Sequence, residues 1–328
     1  MSALRMHELD ELRTSAREPS DDASAALDWT LALAGGEGVR LSGYVQQRFG
    51  RRIPKQYCPL LGQRTMLEHT LERLNKLTPA ARTLTVIGAE HGELAAPLVA
   101  GRSDHVFRQP SSRDTGVATY VALAMIKRWH PNAVVTVTPT DQVVTPSARY
   151  VAQVRTAREV AARRRDAVVV LGVRPDEPDP DLGYLTLGEP VTRIPELHAV
   201  TGFVEKPSPA RAAQLIAGGA MWNTMVATGT VDALWALGRA TEPQLIDILD
   251  SFVPLVRSRD ETDAIEYIYR AILPISLSRD VFERGAERLS VLELRDVAWS
   301  DWGRPEQVET GLAARRSRGL VPRRAFAP

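Results

Sequence analysis

The chain has 328 residues, 44% hydrophobic and 25% charged, and its 41 Lys plus Arg against 40 Asp plus Glu give a formal net charge of +1. That composition suits a globular protein with one large α/β domain and an appendage, or with two domains, and the balanced charge gives no reason for a nucleic-acid partner. A single cysteine, Cys58, excludes an intrachain disulfide and cysteine-cluster metal sites; with no secretory h-region and no apolar run of bilayer-spanning length, the expected location is the cytoplasm.

Residues 1–28 are polar and mixed in charge and read as a leader. Trp29–Ala34 is a short apolar run, read as a buried strand, that breaks into Gly35, Gly36 and Gly38. Such a loop at a strand's end can bring backbone N–H groups up to a phosphate, and Arg40 and Lys55 add fixed positive charge close behind. The same glycines also fit a plain turn between a strand and a helix. A P-loop is excluded because no Gly-Lys-Ser/Thr follows, and a dinucleotide fingerprint because Leu41 holds its third glycine position. Residues 41–53 read as a basic loop, either a flap that closes over substrate or a solvated insertion.

Met66, Leu67, Thr70, Leu71 and Leu74 fall at helical spacing within 65–77. A strand over Thr83–Ile87, a short helix over 91–100 and a brief strand at Val106-Phe107 lead into a polar loop, 109–116, and a helix over 116–129. Ala133–Val137 is a β-branched strand ending in Thr138-Pro139-Thr140-Asp141. Ser147 is expected to cap a helix reaching Arg164, and Ala167–Val173 is another buried strand. Alternating helices and continuously apolar strands predict an α/β fold: a mixed, mainly parallel sheet with helices on both faces. The glycine loop, the 109–116 loop and Asp141 then share the strand C-terminal edge, where ligands of such sheets bind.

After Val173 the pattern changes. A proline- and acid-rich loop over 175–180 precedes a hairpin-like pair, Gly183–Leu187 and Ala199–Glu205, then a short helix and a strand-like run at Met221–Ala227. Residues 231–305 read as a helical extension that returns a strand, Leu289–Leu294, and the turn Trp299-Ser-Asp301 to a core spanning 29–230. Its helical stretch 231–284 either packs on that core or forms a homodimer contact. Residues 306–328 read as a basic, solvated tail.

The chemistry narrows by elimination. No His or Cys set has zinc spacing, and no Gly-x-Ser-x-Gly or partnered histidine supplies a nucleophile. Asp141 and Asp301 are candidate ligands of one hard cation such as Mg²⁺, or else a cap and a turn residue. Glycines, Arg40, Lys55 and two aspartates without a nucleophile suit phosphoryl or nucleotidyl transfer, in which a protein mainly positions reactants and neutralises charge.

Seven segments carry a resemblance. They are Gly35-Gly-x-Gly-x-Arg40-Leu with Pro54-Lys55-Gln56; Arg113-Asp114-Thr115; Pro139-Thr140-Asp141-Gln142; Gly172-Val-x-Pro with Gly183-Tyr184; Phe203-Val-Glu205-Lys206-Pro207; Trp222-Asn223-Thr224; and Trp299-Ser-Asp301-x-Gly303. In this order they resemble the sugar-1-phosphate nucleotidylyltransferases, in the mannose-1-phosphate guanylyltransferase branch. The resemblance implies a Rossmann-like sheet of the GT-A type. It implies that Gly35, Gly36, Gly38 and Arg40 hold a nucleoside triphosphate, that Arg113, Asp114 and Thr115 face the base, and that Lys55 meets the transferring phosphate. Asp141 and Asp301 would hold Mg²⁺, Gly183, Glu205 and Asn223 would contact the sugar, and Lys206 its phosphate. The implied reaction joins GTP and mannose 1-phosphate, with no nucleic acid or membrane as partner.

The chain departs from the family pattern at several positions. Gln142 replaces a histidine, Asp114 an asparagine, Met225 a glycine and Ser278 an aspartate, and the segment between Arg40 and Pro54 is longer. Another sugar phosphate, another nucleotide, or a regulatory relative that senses nucleotide sugars are the alternatives. Retention of Arg40, Lys55, Asp141 and Asp301 favours an enzyme.

Overall fold

The computed structural model describes residues 27–191, 194 and 196–317; most of the expected leader, and the tail from 318, lie outside them. Eleven strands alternate with helices among the described residues: β1 Asp28–Ala34, β2 Thr83–Ile87, β3 His105–Arg108, β4 Val134–Pro139, β5 Val143–Thr145, β6 Val168–Val173, β7 Gly183–Pro190, β8 Leu197–Glu205, β9 Met221–Thr230, β10 Leu289–Glu293 and β11 Ala298–Ser300. Nine of them form one sheet in the order β3-β2-β1-β4-β9-β6-β10-β8-β7, and β7 also pairs with β9. β9 runs antiparallel to β4 and β6, and β8 antiparallel to β10 and β7. The remaining seven strands therefore share one direction, and the sheet is mixed because two reversed strands are inserted among them.

The apolar runs are continuous because both faces are covered. In β6, Val168 and Val170 join a core with the helix Asp114–Trp129 and with Leu245, Leu249 and Phe252 of the extension. Val169 and Leu171 point the other way, to Tyr150, Val154 and Val160 of the helix Ser147–Arg163. Full burial of one such side chain contributes about 1.5–3 kcal/mol, so a polar residue on either face would be costly. The 231–284 stretch thus packs on the core. Ser147 does not cap its helix: the N-cap position is Pro146, and no side chain bonds there.

Two expectations for loops are corrected. Residues 42–49 form a helix, and Pro305–Ser317, expected as solvated tail, forms another. Val45, Trp302, Val308 and Leu312 bury together with Leu41, Cys58 and Leu60. Tyr44 and Arg48 both donate to Glu309 across the contact. The long 41–53 segment is therefore half of a satellite layer, and the C-terminal helix is the other half. Asp179 pins that helix. Its carboxylate, almost fully buried, accepts from Arg304 Nη2 at 2.7 Å, Gln307 Nε2 at 2.8 Å and the Asp181 N–H at 2.9 Å.

A second, two-stranded sheet was not legible in advance. β5 and β11 pair antiparallel, with Val143 opposite Ser300 and Val144 opposite Trp299. One follows Asp141 closely and the other ends just before Asp301. Gln142 locks them: its Oε1 accepts from Trp299 Nε1 at 3.0 Å, and its Nε2 donates to the Thr224 carbonyl of β9 at 2.7 Å.

These anchors can be tested through stability. Asp179→Ala should lower unfolding stability by about 3 kcal/mol, since it removes the acceptor of two side-chain donors and a backbone amide. Gln142→Leu should cost about 2–3 kcal/mol by leaving the Trp299 indole N–H and the Thr224 carbonyl unpaired. Urea midpoints at constant slope measure both, and an unchanged midpoint would show that the bond is dispensable.

Candidate active site

A cavity of about 500 Å³ opens at the C-terminal ends of β1 and β4. Gly35 and Gly36 line it from β1, Pro139, Thr140 and Asp141 from β4, Asp114 and Thr115 from the next helix, and Asp301 from the turn after β11. The glycine loop is held from behind. Gln56 Nε2 donates to the carbonyls of Ala34 at 2.9 Å and Gly36 at 2.7 Å, and the Tyr57 hydroxyl donates to Ala34 at 2.9 Å. Any Cβ at Gly35 would lie 2.1 Å from Gln109 Nε2. Gly38 has φ +63°, and a Cβ there would lie 3.0 Å from the Lys55 backbone nitrogen. Gly38 therefore requires glycine, whereas a side chain at Gly35 would have to displace Gln109.

Lys55, Asp141 and Asp301 come from three distant parts of the chain and meet at one point. Lys55 Nζ lies 2.9 Å from Asp141 Oδ2 and 3.9 Å from Asp301 Oδ1, and it donates to the Asp301 carbonyl. Burial pushes the pKa of this ammonium down, but the two carboxylates outweigh burial and hold it above the ordinary lysine range. Among the described residues no group of three His, Cys, Asp or Glu side chains forms a ready cation cage. Two carboxylates converging on one cationic point nevertheless fit a hard divalent ion whose shell is completed by phosphates and water. Arg40 stands at the rim, half exposed, with Nη2 3.7 Å from Asp301 and Nη1 3.8 Å from Asp181.

The 109–116 loop divides in its behaviour. Asp114 sits at φ +62° and lines the cavity, where its Oδ1 accepts from the Thr115 N–H at 2.6 Å. Arg113 does not join the cavity lining. Its Nε donates to the Tyr269 carbonyl at 2.8 Å, and its own carbonyl accepts from Ile275 N–H, so it ties the loop to the helical extension. Gln109, buried, joins the cavity lining instead: its Oε1 accepts from the Tyr269 hydroxyl at 3.3 Å, which turns its amino group towards Gly35.

The four residues expected at the sugar lie together but outside the cavity lining. Gly183 pairs with Glu205 across β7 and β8, and Asn223 of β9 faces Gly172. A Cβ on Gly183 would lie 2.7 Å from Glu205 Oε2, so glycine lets the carboxylate lie across the sheet. Burial raises the Glu205 pKa, against a hydrogen bond from Ser278 and the nearby Lys206 ammonium, 3.8 Å away. The sequence reading assigned no role to Gln56 or Asp181, and placed Gln109 only within a loop that the resemblance turns to the base. Gln56 stood inside a quoted motif and could have been weighed there; Asp181 gave no signal beyond an acidic loop.

The family model described as nucleotidyl transferase matches residues 30–314. A mannose-1-phosphate guanylyltransferase of Sinorhizobium fredii is 29% identical over 281 residues, 83% of this chain and 52% of that protein. The alginate biosynthesis protein AlgA of Pseudomonas putida is 28% identical over 287 residues, 83% of this chain and 56% of that protein. The chain thus spans about half the length of these curated relatives. The crystal structure of a mannose-1-phosphate geranyltransferase from Thermus thermophilus superposes with a TM-score of 0.72 at 30% identity, covering 84% of this chain and 76% of that one. A UDP-glucose pyrophosphorylase complexed with UDP-glucose shares the fold at 12% identity and a TM-score of 0.55. With a family model spanning the sheet, the cavity and the turn that carries Asp301, the chain belongs to the nucleotidyl transferase family.

Proposed function

We propose that this protein transfers a nucleotidyl group from GTP to mannose 1-phosphate, releasing pyrophosphate and GDP-mannose. The observation that carries this reading is the meeting of Lys55 with Asp141 and Asp301, the two carboxylates that line the glycine-walled cavity. The relatives named for mannose-1-phosphate guanylyl transfer support the choice of substrates.

In the proposed reaction an oxygen of the sugar phosphate attacks the α-phosphorus of the triphosphate. The new P–O bond forms as the bond to the β-phosphate bridging oxygen breaks, and pyrophosphate carries that electron pair away. The attacking phosphate is already ionised near neutral pH, so no general base is needed, in keeping with a site built without a partnered histidine. Gly35 and Gly36 leave room for the triphosphate, Arg40 exchanges Asp181 for phosphate oxygens, and Lys55 offsets charge at the reacting phosphorus. Asp114, Thr115 and Gln109 face the base, while Glu205, Asn223 and Lys206 receive the sugar phosphate. Asp141 and Asp301 would hold Mg²⁺, which when bound supplies charge neutralisation to the phosphates.

Pyrophosphate release should be measured over a grid of nucleoside triphosphates and sugar 1-phosphates with Mg²⁺. GTP with mannose 1-phosphate is expected to give the highest kcat/KM among the fully hydroxylated sugar 1-phosphates, and EDTA to abolish turnover. Asp141→Asn and Lys55→Met should each reduce kcat by about 10²-fold or more. Turnover with no pair in the grid, or full activity in Asp141→Asn, would overturn the reading.

A further inference from the structure

Strand β9 breaks its register with β6 between Val170 and Gly172: Ala227 still faces Val170, but Asn223 faces Gly172. The extra chain length is taken up at Thr224, Met225 and Val226. Thr224 and Val226 are fully buried and pinned, with Thr224 Oγ1 donating to the Leu171 carbonyl at 2.8 Å and the Thr224 carbonyl receiving Gln142. Met225 between them has φ +61°, a left-handed conformation that an unbranched L side chain adopts only under constraint. Bulges of this kind re-aim a side chain. Here Met225 lines the cavity together with Asp141 and Gln142, and its thioether lies against Asn223.

Met225 also occupies Asn223. The Asn223 Oδ1 accepts the Met225 N–H at 3.0 Å, and its Nδ2 lies 3.1 Å from Met225 Sδ. The only carboxamide of the Gly183–Glu205–Asn223 platform is therefore half engaged by its neighbour, through one amide hydrogen and one acceptor site. A substrate hydroxyl arriving against Met225 would surrender its water and meet a thioether, which donates nothing and accepts weakly. A C–H edge would gain a polarisable contact at no such cost.

We infer that Met225 determines acceptor specificity: it selects a sugar 1-phosphate that presents a deoxy edge, hydrogen rather than hydroxyl, to strand β9. The inference rests on the nucleotidyl-transfer reading of this cavity. It places the discrimination on the acceptor side, since the base end is lined by Gln109, Asp114 and Thr115 instead.

The test compares wild type, Met225→Gly and Met225→Ala with GTP and with mannose 1-phosphate or its analogues lacking the 2-, 3-, 4- or 6-hydroxyl. Both variants remove the thioether and release Asn223 Nδ2; glycine also relieves the backbone, and alanine keeps the strain. At one position the wild type should favour the deoxy analogue, and both variants should shift kcat/KM towards the parent sugar by about tenfold or more, with the KM for GTP unchanged. Equal ratios in all three proteins at every position would overturn the inference. If no protein turns over any pair, the reading of the reaction fails, and calorimetry with GDP-mannose and GDP-6-deoxymannose decides the role of Met225 separately. A tenfold change in their Kd ratio in Met225→Gly supports it, and an unchanged ratio or no binding overturns it.

Discussion

An ammonium group that is 6% exposed stays charged only if anions stand close to it, and Lys55 has Asp141 and Asp301. The three residues lie far apart in sequence, so neutralising one buried charge requires the sheet, the 3₁₀ turn after the long basic segment and the C-terminal return to be assembled at once. Loss of one partner costs about 3–5 kcal/mol for a fully buried pair, and less here because the Asp141 side chain is 34% exposed. The arrangement is therefore a folding constraint before it is a chemical one. It also makes the extension after residue 231 part of the site, since that extension delivers Asp301 and, through Tyr269 and Ile275, fixes the 109–116 loop.

The precision of that meeting comes from small elements. Strands β5 and β11 are three residues each and could not persist alone. Each is the other's partner, and Gln142 bonds the pair to β9. The same glutamine receives Trp299 beside Asp301 and restrains Thr224 beside Met225, so the two carboxylates and the bulged wall of the cavity are referred to one side chain. A histidine there could not offer an amide's paired acceptor and donor in the same geometry. This gives the departure at position 142 a structural reason.

How much of this was legible in the sequence depends on how far each signal had to reach. β4 and β6 were readable because burial on two faces writes an unbroken β-branched run, and the glycine loop was readable because its left-handed turn and close backbone approach at Gly38 leave no room for a side chain. Lys55, Asp141 and Asp301 could be named from their motifs, and the fold does bring them together. The helix Ser42–Phe49 was missed because it has one fully buried residue, Val45, and its stabilising partner Glu309 is some 260 residues on. The C-terminal helix was missed for the same reason: Val308 and Leu312 are a single apolar pair among arginines. Arg113 shows the converse limit of a local motif. Its place in a motif suggested a base contact, and its Nε bonds the Tyr269 carbonyl, a partner invisible in local sequence.

From the C-terminal helix to the cavity, charges alternate without a break: Asp179, Arg304, Asp181, Arg40, Asp301, Lys55, Asp141. The links are unequal. Asp179 is buried and fully hydrogen-bonded, and Lys55 is buried between its carboxylates, so both ends resist change. The central contacts of Arg40 with Asp181 and Asp301 are long and solvent-facing, a kind of pair worth about 0–1 kcal/mol and weakened by salt. An anionic ligand entering the cavity therefore takes Arg40 at little cost, while Asp181 keeps Arg304 as a partner and is not stranded. Lys55 is different, because drawing it away leaves two carboxylates facing each other until another cation replaces it. The fold thus makes the rim cation the easily exchanged one and the inner cation the committed one, which orders the recruitment of the two charges from the outside inwards.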